Sequence, residues 1–433
     1  MTKLIGNENI LLKYIDIEKI GQILVIAIVL IFTLKFFQST PFERIFFQLQ
    51  AVFLVLTALF LVSYVVITLL KKDCINEVVI YFLILISIIP FYSMCRASAE
   101  FGQPFIYGLL SERAWLLIGV GIWFYYVIIT RKINLATIES AFVFMAWASL
   151  VIFSLFVLLY NPGQLAYKSH FVHMDAIRGL RFKFQMYFII FGAVYYFVKY
   201  AVHENLKYLV ILLFFLAYLL FIHQGRITIM ALAATFLLYY WLNYSLSKLA
   251  ILSIKLSLFL LVALIAIQII MPDYLDRMSY LFAQMVRVLT GKMSQDPSAN
   301  SRILQSQMVL NYFDNHPFSL WLGAGRVSHQ WNGGYRSLFS YFYPSDLGVL
   351  GGLFLYGILG LVFVLIIPVI ISIKTLRRVP EKGNVFIKTL KYLLVFAIIR
   401  AIQGSFYFGP MVYIISLFIL LAYNDLEGKA DAN

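Results

Sequence analysis

The sequence predicts an all-α, polytopic integral membrane protein of about twelve transmembrane helices with one large, partly helical outer loop. Three observations predict it. Hydrophobic residues make up 62% of the 433 residues and charged ones only 12%, with positive mean hydropathy. Apolar runs such as 23–36 and 52–70 carry almost no charge and, with their flanks, reach the roughly twenty residues that cross a bilayer. Helix ends rich in lysine alternate with ends that lack it, as successive crossings require.

Taken in order, the apolar runs place spans at 18–37, 49–70, 78–94, 113–130, 138–160, 184–202, 208–223, 226–246, 249–271, 349–373, 386–403 and 408–424. No small-residue cleavage site follows the first run, which therefore reads as an uncleaved helix. Assigning the lysine-rich ends to the cytoplasm puts both termini there. The chain divides into helices 1–9 (residues 1–271), an outer cap (272–347) and helices 10–12 (348–433), all one membrane domain without internal repeats. Outer loops are expected at 95–112 and 161–183 as well.

The cap has its own elements. Segments 277–289 and 301–313 carry apolar residues at helical spacing, among them Ile303, Leu304, Met308, Leu310 and Phe313. The 296–301 run reads as a turn with Ser301 as N-cap. Asn315, His316 and Pro317 stop that helix, and Gly323, Gly325, Gly333 and Gly334 break the rest into turns. Trp321, Trp331, Tyr335, Phe339 and Tyr341–Tyr343 add aromatic surface, so a folded cap over an outward cavity is expected rather than disorder.

The two kinds of basic residue separate. The cytoplasmic segments hold fifteen lysines but only Arg131, Arg377 and Arg378, whereas the outer segments hold twelve arginines and four lysines. Lysine suffices as a topology signal, so the outer arginines need another reason. The planar guanidinium binds phosphate or carboxylate bidentately and keeps its charge, which points to an anionic ligand met from outside. The net charge of +14 is spread over a dozen loops and is no nucleic-acid footprint; cytoplasmic lysines suit anionic membrane lipid. The six histidines and two cysteines form no cluster with metal-ligand spacing, and Cys74 and Cys95 fall near opposite membrane faces and cannot pair.

Single residues sharpen this. Arg226, in His223-Gln224-Gly225-Arg226, interrupts two apolar runs so briefly that a tight corner must form. It is either a snorkelling helix end or a fixed phosphate ligand approached over Gly225; at bilayer depth the charge costs about 2.5–3.5 kcal/mol. Arg178 and Arg181, three apart at the mouth of a helix, share one helical face and suit a pyrophosphate or lipid headgroups. Arg302 follows a helix start, where free N–H groups favour an anion. Candidates for a base are His316, His329, Asp175, Asp296, Asp314, Asp346, Glu100 and Glu112, and spacing does not choose among them.

Three stretches together resemble the bacterial O-antigen polymerase and ligase superfamily: the Gln224-Gly225-Arg226 corner; Asn300-Ser301-Arg302, a helix, His316-Pro317 and Gly323-Ala324-Gly325; and Ser345-Asp346 through Gly351 to Gly360. Ligases usually carry a His-Asn-like pair where Ser345 and Asp346 stand, so the resemblance favours the polymerase branch. Arg181 with Gly192, and Arg336 with Gly352, echo that branch's arginine–glycine spacing. The resemblance implies a metal-independent glycosyltransferase of the polytopic C class in the bacterial cytoplasmic membrane, active on the outer face and without cofactor. The donor would be an oligosaccharide on polyprenyl pyrophosphate, and a chain-length regulator protein the expected partner. Arg178, Arg181, Arg226 and Arg302 would bind pyrophosphate; Asp346, His316 or Asp314 would serve the acceptor hydroxyl; Arg326, Arg336, Trp321 and Tyr335 would meet sugar. The alternatives are a ligase delivering glycan to lipid A core or protein, and a transporter or flippase for an anionic glycolipid.

Overall fold

The computed structural model describes residues 17–159 except 41 and 72–75, two short strands between 172 and 182, residues 183–244, 297–379, 384–401 and 411–431, and isolated positions between 265 and 284. The helices are α1 (Ile17–Thr33), α2 (Glu43–Lys71), α3 (Glu77–Phe101), α4 (Phe105–Glu112), α5 (Ile118–Ile129), α6 (Leu135–Leu159), α7 (Tyr187–His203), α8 (Leu206–Ala217) and α9 (Arg226–Asn243). After the cap helices α10 (Pro297–Asn315), α11 (Pro317–Leu322) and α12 (Tyr335–Phe339) come α13 (Val349–Leu361), α14 (Ile367–Arg378), α15 (Val385–Ala401) and α16 (Met411–Asp431). Among the described residues, six helical stretches are long and apolar enough to cross a membrane: Glu43–Lys71, Glu77–Phe101, Phe105–Ile129, Leu135–Leu159, Leu206–His223 and Val349–Arg378. The expected span 249–271 and cap helix 277–289 fall almost wholly outside the described residues.

Helix α7 is the hub. Every side chain from Tyr187 to Val198 is buried, so it is apolar all round, as a helix enclosed by others must be. It packs on α6, α8, α9 and α15. Gly192 lets α8 in: a Cβ there would lie 2.3 Å from the Phe215 ring. The glycine of that arginine–glycine spacing thus serves helix packing. By contrast α2 leaves Leu59 and Val62 exposed, an apolar face suited to lipid. Hydroxyls inside the bundle are silenced on their own helices, as in Thr235 to Ala231 O (2.7 Å) and Ser149 to Met145 O (2.7 Å).

The two ends of the bundle differ. At one, Asp425 on α16 accepts from Asn76, the N-cap of α3, at 2.8 Å and from Tyr125 near the end of α5 at 2.7 Å. At the other, the cap docks on the last turns of α3. The expected loop 95–112 is instead mostly helix. Ala97, Ala99 and the Arg96–Glu100 pair (3.0 Å) carry α3 to Phe101, and Gly102 at φ 72 ends it by donating to Ser98 O. The 161–183 region holds an antiparallel hairpin, β1 (Val172–Asp175) with β2 (Gly179–Phe182), so all-α describes the membrane-crossing elements but not this segment. Arg181 pairs in register with His173 across that hairpin, so it stands on a strand and not on the helix expected for it. Arg178 itself lies outside the described residues.

Helix α13 is broken. Gly357 sits at φ 66, ψ −179, and the carbonyls of Phe354 and Leu355 accept from Ala324 N (2.8 Å) and Gly325 N (2.9 Å) of the cap. Freed backbone groups at membrane depth need such partners. The Gly323-Ala324-Gly325 turn therefore straps the cap to the break. A Cβ on Gly325 (φ +79) would meet Ala97 N at 2.3 Å. Gly325→Ala is expected to cost at least about 2 kcal/mol in strain and clash, read by thermal unfolding in detergent. Gly333→Ala, with positive φ but open space, should cost less.

Candidate functional site

The strap delivers Arg326, and the protein fixes its main chain on both sides. Ser93 Oγ accepts from Arg326 N at 3.0 Å, while Arg326 O accepts from Gln103 Nε2 (3.3 Å) and Ser111 Oγ (3.4 Å). Gln103 also accepts from Ser328 N at 2.7 Å. The Tyr335 hydroxyl donates to Gly325 O (2.6 Å) and accepts from Val327 N (3.2 Å). Tyr335 is largely buried and its hydroxyl holds the strap, while the residue also lines the cavity beside it. Tyr335→Phe should cost about 1–3 kcal/mol, because a buried carbonyl and amide lose their partner, and thermal unfolding would read it.

The Arg326 side chain reaches Glu112, whose carboxylate is wholly buried, at Nη1–Oε2 3.4 Å. Ser93 Oγ (2.6 Å) and Tyr356 OH (3.2 Å) donate to Oε1, and Trp115 Nε1 (2.9 Å) to Oε2. Four donors around one carboxylate are what burial of a charge demands. Glu112 was a candidate base; enclosed in this way it is a structural anchor instead. Two further cations converge here. Lys35, in the turn after α1 has ended at Thr33, interacts electrostatically with Arg326 and Arg113. Arg113 begins the 3-10 turn directly after Glu112 and is exposed. Arg326, Lys35 and Arg113, from three separate segments, thus lie near enough for Lys35 to feel both guanidinium charges, and Arg326 alone of the three contacts the carboxylate.

A second carboxylate, Glu100, organises the cap's underside. It accepts from Tyr312 OH (2.5 Å) and Ser319 Oγ (3.2 Å), pairs with Arg96, and lies 3.4 Å from His316 Nδ1. Burial, then Glu100, pushes the Tyr312 hydroxyl up from its ordinary value. Arg96 Nε also donates to Gly323 O at 2.9 Å, tying this cluster to the strap. The His316 ring stacks on Tyr312 with centroids 4.5 Å apart, yet its side chain is 52% exposed. Held through Nδ1 by a carboxylate, it keeps Nε2 for a second partner, the orientation a general base needs.

The remaining expected residues scatter. Arg302 is not at a helix start: α10 begins at Pro297, placing it in the second turn, exposed. Its charge instead reaches Asp346, in the 3-10 turn Pro344–Leu347. The carboxyl of Asp346, an exposed residue, is pushed above the usual aspartate range by partial desolvation and pulled back by Arg302 and Lys183. Asp314 is exposed on the last turn of α10, Trp321 is exposed on α11, and Arg336 lies over the Tyr343 ring at 5.5 Å. Arg226 forms the first residue of α9 in the tight corner foreseen, with Gln224 at φ 53. At Gly225 the His223 imidazole lies close to where a Cβ would be, 2.4 Å away, so the imidazole packs against this corner. Asp296 lies outside the described residues, and no group of three metal-ligating side chains occurs among the described ones.

Ser93, Gln103, Trp115, Tyr356 and Lys35 were missed. Lys35 alone left a signal, as a lysine on the arginine side of the first apolar run. These features define a helical membrane protein with a cap strapped onto a broken helix and a cationic cluster beneath it. Comparison of the chain with known protein families finds no match, and comparison with characterised proteins finds none either.

Proposed function

We propose that the protein is a polysaccharide polymerase of the bacterial cytoplasmic membrane, with about twelve spans, both termini in the cytoplasm and a C-class glycosyltransferase architecture. It would transfer glycan from polyprenyl pyrophosphate to a second lipid-linked repeat unit on the outer face. The observation that carries the reading is Arg326: a half-buried guanidinium with a clamped main chain, grouped with Lys35 and Arg113. In this reading those three cations, rather than Arg178, Arg181, Arg226 and Arg302, seat the pyrophosphate. The acceptor hydroxyl attacks the anomeric carbon, and the bond to the pyrophosphate oxygen breaks with its electron pair. The cations stabilise the charge left on that oxygen. Pyrophosphate is already a good leaving group, so the reaction calls for no metal or nucleotide.

His316 held by Glu100, or Asp346 beside Arg302, accepts the proton of the acceptor hydroxyl. If Asp346 does so, the acid limb of the pH profile falls above the ordinary aspartate range. Arg302→Gln then moves that limb upward, because the charge that eases deprotonation is gone. A limb that stays in place removes Asp346 from the role.

The test is purified protein with a synthetic lipid-pyrophosphate repeat unit and no metal or nucleotide, followed on a gel. A ladder of products supports polymerisation; intact substrate with folded protein contradicts it. One observation favours a second reading, transport of an anionic glycolipid: α13 is discontinuous at Gly357, as helices at transporter midplanes often are. The carbonyls freed there are, however, taken by Ala324 and Gly325. Movement of substrate across proteoliposomes without change in glycan length would favour that reading. Product confined to an added lipid A core or protein acceptor would instead indicate a ligase.

A further inference from the structure

Beside the strap lies a cavity of about 160 Å3 whose charged lining is one-sided. Arg326, Arg336 and His329 line it, with the Tyr343 ring, Ser345 and the Gly333–Gly334 backbone, and no carboxylate is among its lining residues. Its size matches one six-membered ring, since a cavity of roughly 150 Å3 holds benzene. The Arg336 guanidinium lies over the Tyr343 ring at 5.5 Å, which limits its orientations and leaves its donor edge for a ligand. Arg326 is fixed from the main chain outward by Ser93, Gln103 and Ser111. The backbone opposite is glycine at φ +81 and +71, so two successive residues present peptide groups and no side chains to an occupant.

From this we infer that the cavity is a subsite for one acidic sugar residue, a pyranose bearing a carboxylate, so that the glycan handled is anionic. The inference rests on the polymerase reading for its biological meaning, but the cavity's chemistry stands by itself. The Arg336 guanidinium matches a carboxylate by bidentate hydrogen bonding, Arg326 adds positive charge beside it, and the aromatic and glycine walls accept the ring. Free phosphate shares the anionic chemistry but would leave the apolar wall of Phe342 and Leu355 unused.

The experiment is saturation-transfer NMR on the full-length protein in lipid nanodiscs, with methyl β-D-glucuronide, methyl β-D-glucoside and inorganic phosphate as probes. The glucuronide should bind about tenfold or more tightly than the glucoside, the factor expected of a charged hydrogen-bond pair. Arg336→Gln, at an exposed position, should erase that preference without changing the melting temperature. His329→Asn, also exposed, should weaken it in part. Equal transfer to both sugars, transfer to neither, or a preference unchanged in Arg336→Gln overturns the proposal. So does displacement of the glucuronide by equimolar phosphate, which would mark a phosphate site. A glucuronide preference in a protein that forms no product ladder removes the polymerase reading and leaves the subsite standing; a ladder without the preference does the reverse.

Discussion

Glu112→Ala is expected to destabilise the protein by about 3–5 kcal/mol, the range for removing one partner of a buried charge pair. The carboxylate is fully buried and accepts from Ser93, Trp115, Tyr356 and Arg326, which come from α3, the turn after α4, α13 and the strap. Its loss strands donors on four segments at once. The Arg326 charge would then remain beside Lys35 and Arg113 with no carboxylate between them. Chemical unfolding in detergent should show a lower midpoint, and proteolysis should cut the cap region first. Glu112→Gln keeps the volume and one acceptor oxygen, so it should fall between wild type and alanine. A melting curve unchanged in Glu112→Ala would mean the network does not hold the cap.

Arg326→Gln is expected to keep the strap's main chain docked but to cost stability, because the buried Glu112 carboxylate loses its cationic partner, and to lower turnover per folded molecule by roughly a hundredfold or more, the usual effect of removing one fixed donor from a developing anion. The main-chain bonds to Ser93, Gln103 and Ser111 do not depend on the side chain, so the strap should stay docked. Arg326→Lys keeps the charge but loses the planar fork, and should recover only part of the activity. Full-length polymer from Arg326→Gln at normal abundance would remove Arg326 from the chemistry. Arg226→Ala probes the tight corner separately, and full-length polymer from it at normal abundance would remove Arg226 from the pyrophosphate seat.

Much of the fold was legible because its signals are local. A run of about twenty apolar residues declares a span without reference to any partner, and Gly323, Gly325, Gly333 and Gly334 declared turns that all have positive φ. The cap helix foreseen at 301–313 exists and extends to Pro297–Asn315, since proline is tolerated in a first turn. The extension is also why Arg302 lost its helix-start role. The error at 95–112 arose because charged residues were read as loop, whereas Arg96 and Glu100 stand one turn apart and stabilise helix.

The site was less legible because it is non-local. Arginine in excess on one side did not say which arginines meet. Arg326 and Glu112 are 214 positions apart, and Tyr356 and Glu112 are 244 apart. No periodicity links residues at such separations. Tyr335 and Trp321 looked alike in sequence, yet one is buried in the cap core and the other exposed.

The central claim is that Lys35, Arg113 and Arg326 form a seat for pyrophosphate. It is tested most directly by equilibrium binding of a polyprenyl pyrophosphate and the matching monophosphate to wild-type and Arg326→Gln protein in nanodiscs. The pyrophosphate should bind wild type more tightly than the monophosphate does, and the variant should lose most of that difference. Equal affinity of wild type for the two lipids, or a difference that survives in Arg326→Gln, would contradict the account.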